Sequence, residues 1–132
     1  MLNSQASAAT MSSLLDAVSA ANTAAATSGS GKWLDVRPYD GEILVIQQVG
    51  VLGGTTPAIA GKLQSATDAN GTGAADISGA TFTSVNASNN TQSLAIDPRK
   101  VTGGFLGYVG TITGTTPTVL VSVVAGGKKK IV

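Results

Sequence analysis

The sequence predicts an all-β protein: a single β-sandwich of jelly-roll or Greek-key type, preceded by an N-terminal arm carrying a short helix. Three observations predict it. The first is a series of short β-prone runs punctuated by Gly- and Asn-rich turns. The second is an internal repeat. Asp35-x-Arg37-x3-Gly41 leads through an apolar run to Val49-Gly50 and Gly54-Thr55-Thr56-Pro57, and Asp97-x-Arg99-x3-Gly103 leads through another to Val109-Gly110 and Gly114-Thr115-Thr116-Pro117. The third is a change of composition: residues 1–31 are dominated by Ala, Ser, Thr and Asn, carry Asp16 as their single charge, and close on Ser28-Gly29-Ser30-Gly31 like a flexible linker.

Taken in order, residues 1–31 read as an arm and residues 32–132 as the domain. Within the arm Met11, Leu14, Leu15 and Val18 fall at i, i+3, i+4 and i+7, one face of a helix, with Ser13-x-x-Asp16 as its start. So short a helix is marginal alone in water and needs a surface to lie on. The tether gives it reach, which favours docking on a neighbouring subunit or another protein over its own domain. From Lys32 the expected strands are Trp33 to Tyr39, Glu42 to Leu52, Ala58 to Ala66, Ala75 to Val85, Gln92 to Asp97, Phe105 to Ile112 and Thr118 to Val124. Ile43-Leu44-Val45-Ile46 is apolar on both faces, which predicts a central strand covered on both sides. Pro57 and Pro117 sit where a strand begins after a turn, so the two Gly/Thr stretches read as hairpin connections and the repeats as two related hairpins.

Composition narrows the function. A chain of 132 residues is one domain's worth and buries a real core without staples. It has no Cys and no His, which removes disulfides, the Ser-His and Cys-His nucleophile pairs and most transition-metal sites. Any catalysis would have to run on seven carboxylates and eight bases, so an enzyme is not expected, nor a cofactor. Net charge is +1, and three of the bases form Lys128-Lys129-Lys130, so the rest lacks the basic stripe of a nucleic-acid binder. No run approaches a membrane span and no secretory signal is visible, so a soluble protein without membrane partners is expected.

The remaining constellations favour structural roles. Asp68-Ala69-Asn70-Gly71 with Thr72 and Asp76 starts like a calcium loop, but the twelfth position holds Gly79 where a bidentate Glu is required, so a tight turn is expected. Asp35 with Arg37 and Asp97 with Arg99 occupy equivalent places in the repeat, which points to symmetric ion pairs at strand ends rather than paired catalytic acids. Trp33, directly after the linker, is either a lid on one end of the domain or an interface anchor or sugar-stacking platform.

The stretches Asp35-Val36-Arg37-Pro38-Tyr39-Asp40-Gly41, Lys62-Leu63-Gln64-Ser65-Ala66, Asp76-Ile77-Ser78-Gly79-Ala80-Thr81-Phe82-Thr83, Leu94-Ala95-Ile96-Asp97-Pro98-Arg99 and Val121-Ser122-Val123-Val124-Ala125-Gly126-Gly127-Lys128-Lys129, in this order, resemble the small head decoration or capsid cement proteins of tailed bacteriophages. The resemblance covers most of residues 32–130. It implies a virion structural protein on the outer surface of the head, assembled in the bacterial host cytoplasm, often a homotrimer, that bridges subunits of the major capsid protein. Met11, Leu14, Leu15, Val18 and Trp33 are then the expected partner contacts. The alternatives are another virion module, from tail, neck or fibre, and a carbohydrate-binding adhesive domain that would stack sugars on Trp33 with Tyr39 or Tyr108.

Overall fold

The computed structural model describes the backbone of residues 9–21, 24–26 and 32–130, and the side chains of residues 12–15 and 32–130. The fold is all-β and antiparallel. Its strands are β1 (Ala9–Ala21), β2 (Ala24–Ala26), β3 (Leu34–Asp35), β4 (Tyr39–Ala66), β5 (Ala75–Thr81), β6 (Asn90–Ile96) and β7 (Phe105–Lys129), with one 3₁₀ turn at Pro98–Lys100 before β7.

Two strands organise everything else. β4 and β7 pair along nearly their whole lengths, from Tyr39↔Lys129 to Ala66↔Phe105. Four expected strands are therefore two, and the Gly-Thr-Thr-Pro stretches are bends inside long strands rather than hairpin connections. The bends face each other, with Thr55 paired to Thr115. In each, the glycine and the second threonine take positive φ: Gly54 at 97° and Thr56 at 49°, Gly114 at 127° and Thr116 at 45°. A Cβ on Gly54 would come within 2.5 Å of the Thr116 carbonyl oxygen, and one on Gly114 within 2.9 Å of the Thr56 carbonyl oxygen, so only glycine lets the two bends nest.

The bends fold the ribbon back on itself. Gln47 and Leu63 are separated on β4 by a stretch that, straight, would span roughly 50 Å. Tyr108 is the register partner of Leu63, yet its hydroxyl lies 2.5 Å from Gln47 Oε1. One core therefore forms between the two arms of the bent ribbon. Ile43, Val45 and Val49 of β4, Ile59 and Leu63 beyond its bend, Leu106, Tyr108 and Ile112 of β7, and Val119, Val121 and Val123 beyond its bend all point into it. Their period of two along each segment is what a strand with one buried face requires.

The repeat pairs with itself. In the first half of the sheet the inward ladder reads Val45↔Ala125, Gln47↔Val123, Val49↔Val121 and Leu52↔Val119; in the second it reads Leu106↔Ser65, Tyr108↔Leu63, Gly110↔Gly61 and Ile112↔Ile59. Each rung of one matches a rung of the other about sixty residues away, so the two copies exchange strands instead of forming separate hairpins. β6 flanks the first half on β4 and β1 flanks it on β7, whereas β5 flanks the second half on β4 and β2 and β3 flank it on β7. One residue breaks the match. The step from Val49 to Leu52 contains an extra residue, a β-bulge at Gly50-Val51 that β7 lacks between Gly110 and Ile112.

The expected arm helix is a strand. β1 pairs with β7 of the same chain from Ala9↔Lys128 to Ala21↔Thr118, with irregularities between Ser13 and Leu15 and between Leu15 and Val18. Strand pairing wins over helix spacing because the β7 edge offers a ladder of backbone partners and the core offers a place for Leu14, which is fully buried; Leu15 packs beside that core. The arm is thus joined to the sheet of its own domain through β1 and β2 rather than standing apart from it. The side chains of Met11 and Val18 lie outside the described residues.

Leu14→Ala is expected to lower stability by about 2–5 kcal/mol, the range for emptying a buried leucine site, read from denaturant midpoints. Thr56→Gly and Thr116→Gly should each raise stability by about 0.5–1 kcal/mol, because relief of a β-branched residue from positive φ exceeds the added chain entropy of glycine; lower midpoints for both would refute strain at the bends.

Candidate functional site

The two Asp-x-Arg motifs form matching hooks ahead of β4 and β7. Arg37 N donates to Asp35 Oδ1 at 3.0 Å, its Nε to the same oxygen at 2.8 Å and its Nη2 to Oδ2 at 2.9 Å. Arg99 N donates to Asp97 Oδ1 at 2.9 Å and its Nη2 to Oδ2 at 2.7 Å. An aspartate two residues before an arginine can hold both its backbone and its guanidinium without tertiary help, which is why the spacing recurs. The hydrogen bonds and charge of Arg99 lower the pKa of Asp97 to about 2, and those of Arg37 hold Asp35 below the usual aspartate range. Arg37 also lies over the Phe105 ring, 5.1 Å from its centroid.

Because the ribbon is bent double, both hooks reach the same end of the molecule. Arg37, Asp40, Glu42, Asp97, Arg99 and Lys130 line a shared open cleft of about 680 Å³. Opposite charges there are already matched within each hook. Among the described residues no group of three or more carboxylates comes together to hold a metal ion. The Asp68 loop is likewise self-contained: Asp68 Oδ1 accepts from Asn70 N and Thr72 N, and Oδ2 from Thr72 Oγ1 at 2.6 Å.

Trp33 is buried. Its ring covers Gly107 and Gly71, where a Cβ on either glycine would strike it, and its backbone N donates to Ala69 O. It is the lid of the two earlier readings and corrects the other, since no face of the indole is left for a partner. Leu14, an expected partner contact, is corrected for the same reason. Tyr39 and Tyr108 are also buried, so the stacking platform of the carbohydrate-binding alternative is missing from all three rings.

The polar pair in the core was not legible in advance. Gln47 is fully buried, its Oε1 accepts from Tyr108, and its Nε2 has no partner. Gly61 and Gly110 make room for the two polar tips, since a Cβ on either would press on the Tyr108 hydroxyl. Burial pushes the Tyr108 phenol well above its usual pKa, so it stays a donor.

What remains exposed is an uncharged face in which apolar side chains stand among small polar ones. The expectation that Ile43 to Ile46 would be covered on both sides is corrected: Ile43 and Val45 point into the core, but Leu44 is 42% exposed. On the same outward side stand Ile46, Gln48, Leu120, Ser122 and Val124, flanked by Thr91, Ser93 and Ala95 of β6. At its margin the bulge turns Val51 outward, 64% exposed. None of these residues is charged. The bulge is fixed by two bonds to the loop before β6, Asn89 N to Gly50 O and Leu52 N to Ser88 Oγ. No protein-family model matches the chain, and no curated protein matches its sequence.

Asp97 should titrate at about pH 2 by carboxyl NMR and return toward about 3.9 in Arg99→Gln. Its folded value is depressed, so the hook's contribution is complete above about pH 4 and is lost as the pH falls toward 2; an unshifted wild-type titration would remove the hook. In the core, Tyr108→Phe should cost about 1–3 kcal/mol by leaving both polar atoms of Gln47 unpaired. Adding Gln47→Leu should recover most of that loss, whereas a double variant no more stable than Tyr108→Phe would show that the pair is not the source of the cost.

Proposed function

We propose that the chain is a virion structural protein that decorates a bacteriophage head and stabilises it by bridging subunits of the major capsid protein. The observation that carries this reading is the segregation of charge. Every charged side chain of residues 32–130 falls within residues 32–42, 62–76, 97–100 or 128–130, which leaves 43–61, 77–96 and 101–127 without one. After the ribbon bends, the charged stretches gather toward its open end, and the bent end with the outer face of β4 and β7 is neutral. An outer face on which β4 and β7 carry no charge from Ile43 to Gly61 and from Phe105 to Gly127, with Leu44, Val51 and Leu120 exposed, suits a surface that meets protein, because interface cores are depleted in charge. The resemblance of residues 32–130 to head decoration proteins supports the same reading and adds the homotrimer and the outer surface of the head as its setting. A tail, neck or fibre position would use the same surface and differs in copy number.

Quantitative mass analysis of purified particles tests it. A ratio to the major capsid protein near one to one, or at another icosahedral fraction, is expected. A handful of copies per particle would place the chain in tail or neck, and absence from particles would overturn the reading.

A further inference from the structure

The two halves of the sheet are built from the same repeat, so their outer faces can be compared rung by rung. In the second half the outward positions are closed. Phe105 lies under the Arg37 guanidinium, Gly107 lies under Trp33, and Lys62 and Gln64 are both tied to Asp76, at 2.9 and 2.8 Å. Their counterparts in the first half are Leu44, which is exposed, and Ile46, Ser122 and Val124, which are half-buried and make no ion pair or ring contact among the described residues. The contrast continues toward the bend. Ala60 and Thr111 face each other in the second half, where the first has Leu120 beside the bulged Gly50-Val51. The caps are thus confined to the second half, and at two of these positions, Ile46 for Gly107 and Leu120 for Ala60, the first half also carries the larger apolar side chain. The bulge that exposes Val51 is absent from the matching ladder of the other copy, and its bonds to Ser88 and Asn89 hold the backbone on either side of Val51 in place before any partner arrives.

From this asymmetry we infer that the outer face of the first half, with Leu44 and Leu120 on it and Val51 at its rim, is the footprint by which the chain sits on the protein shell. The inference rests on the virion reading and names the surface it uses. Size selects the occupant. The three strands β6, β4 and β7, about 4.8 Å apart, over the length from Leu44 to Val51 give a face of roughly 330 Å². That is well short of the roughly 800 Å² each partner contributes to a stable free complex. A second copy in solution would be held weakly by it, whereas a shell that presents a complementary uncharged site many times over retains such a contact by multivalency, with bridging as the means.

The test replaces Val51 and Leu120 separately by lysine and compares both with Ala60→Lys, which puts the same charge at the position equivalent to Leu120. Val51→Ser stands in if a lysine variant fails to fold. Occupancy on purified particles, measured against the major capsid protein, should fall at least tenfold for Val51→Lys and Leu120→Lys and stay within twofold for Ala60→Lys, with melting temperatures of all three near wild type. Full occupancy of both first-half variants, with wild type present on particles, would overturn the footprint and leave the virion reading standing. Absence of the wild-type chain from particles would overturn both. If light scattering shows an oligomer of the free chain that Val51→Lys or Leu120→Lys dissociates while particle occupancy is kept, the face joins copies to each other and the inference fails.

Discussion

A two-stranded ribbon as long as β4, left straight, would extend about 90 Å and bury nothing on either face. The pairing of β4 with β7 becomes a fold only because both strands bend at the same level, where Thr55 meets Thr115. Each bend needs a glycine at positive φ whose missing side chain admits the other bend's carbonyls, and a threonine held at positive φ beside it. That reciprocal nesting brings Gln47 to Tyr108, places both Asp-x-Arg hooks at one end, and leaves the neutral bend at the other. Hydrophobic burial then holds the shape, but the bends decide which side chains meet.

The repeat was legible in the sequence, and so were the strands, because turn residues and β-prone runs act locally. The hooks could be read from two residues' separation for the same reason. What the sequence did not disclose is which strand pairs with which. A duplicated string is equally compatible with two self-contained hairpins and with two copies that trade strands, since the alternation of Ile43, Val45 and Val49 or of Val119, Val121 and Val123 is satisfied either way. Proline after Gly-Thr-Thr suggested a strand start, and the backbone instead turns there without ending the ladder.

The arm shows a different limit. Met11, Leu14, Leu15 and Val18 have helical spacing and their neighbours are rich in alanine, so local propensity favours a helix. A strand with two irregularities can direct Leu14 inward just as well, and the unpaired edge of β7 supplies the backbone hydrogen bonds that settle the choice. The exposed face was missed for a related reason. A run such as Ile43 to Ile46 is apolar whether its second side is covered by the same chain or by nothing, and only the placement of the surrounding strands tells the two apart.

Strand exchange between the repeats has a consequence for how the molecule is made. The far half of β7 lies between β1, which precedes it by the whole of β4, β5 and β6 in the chain, and the near half of β4. Neither half of the sheet can close from its own copy of the repeat. A ribosome adding about 5–20 residues per second therefore makes β1 and the whole of β4 before their shared partner β7 exists. Pairing between residues distant in sequence dominates the sheet, which makes folding slow relative to folds built from local contacts.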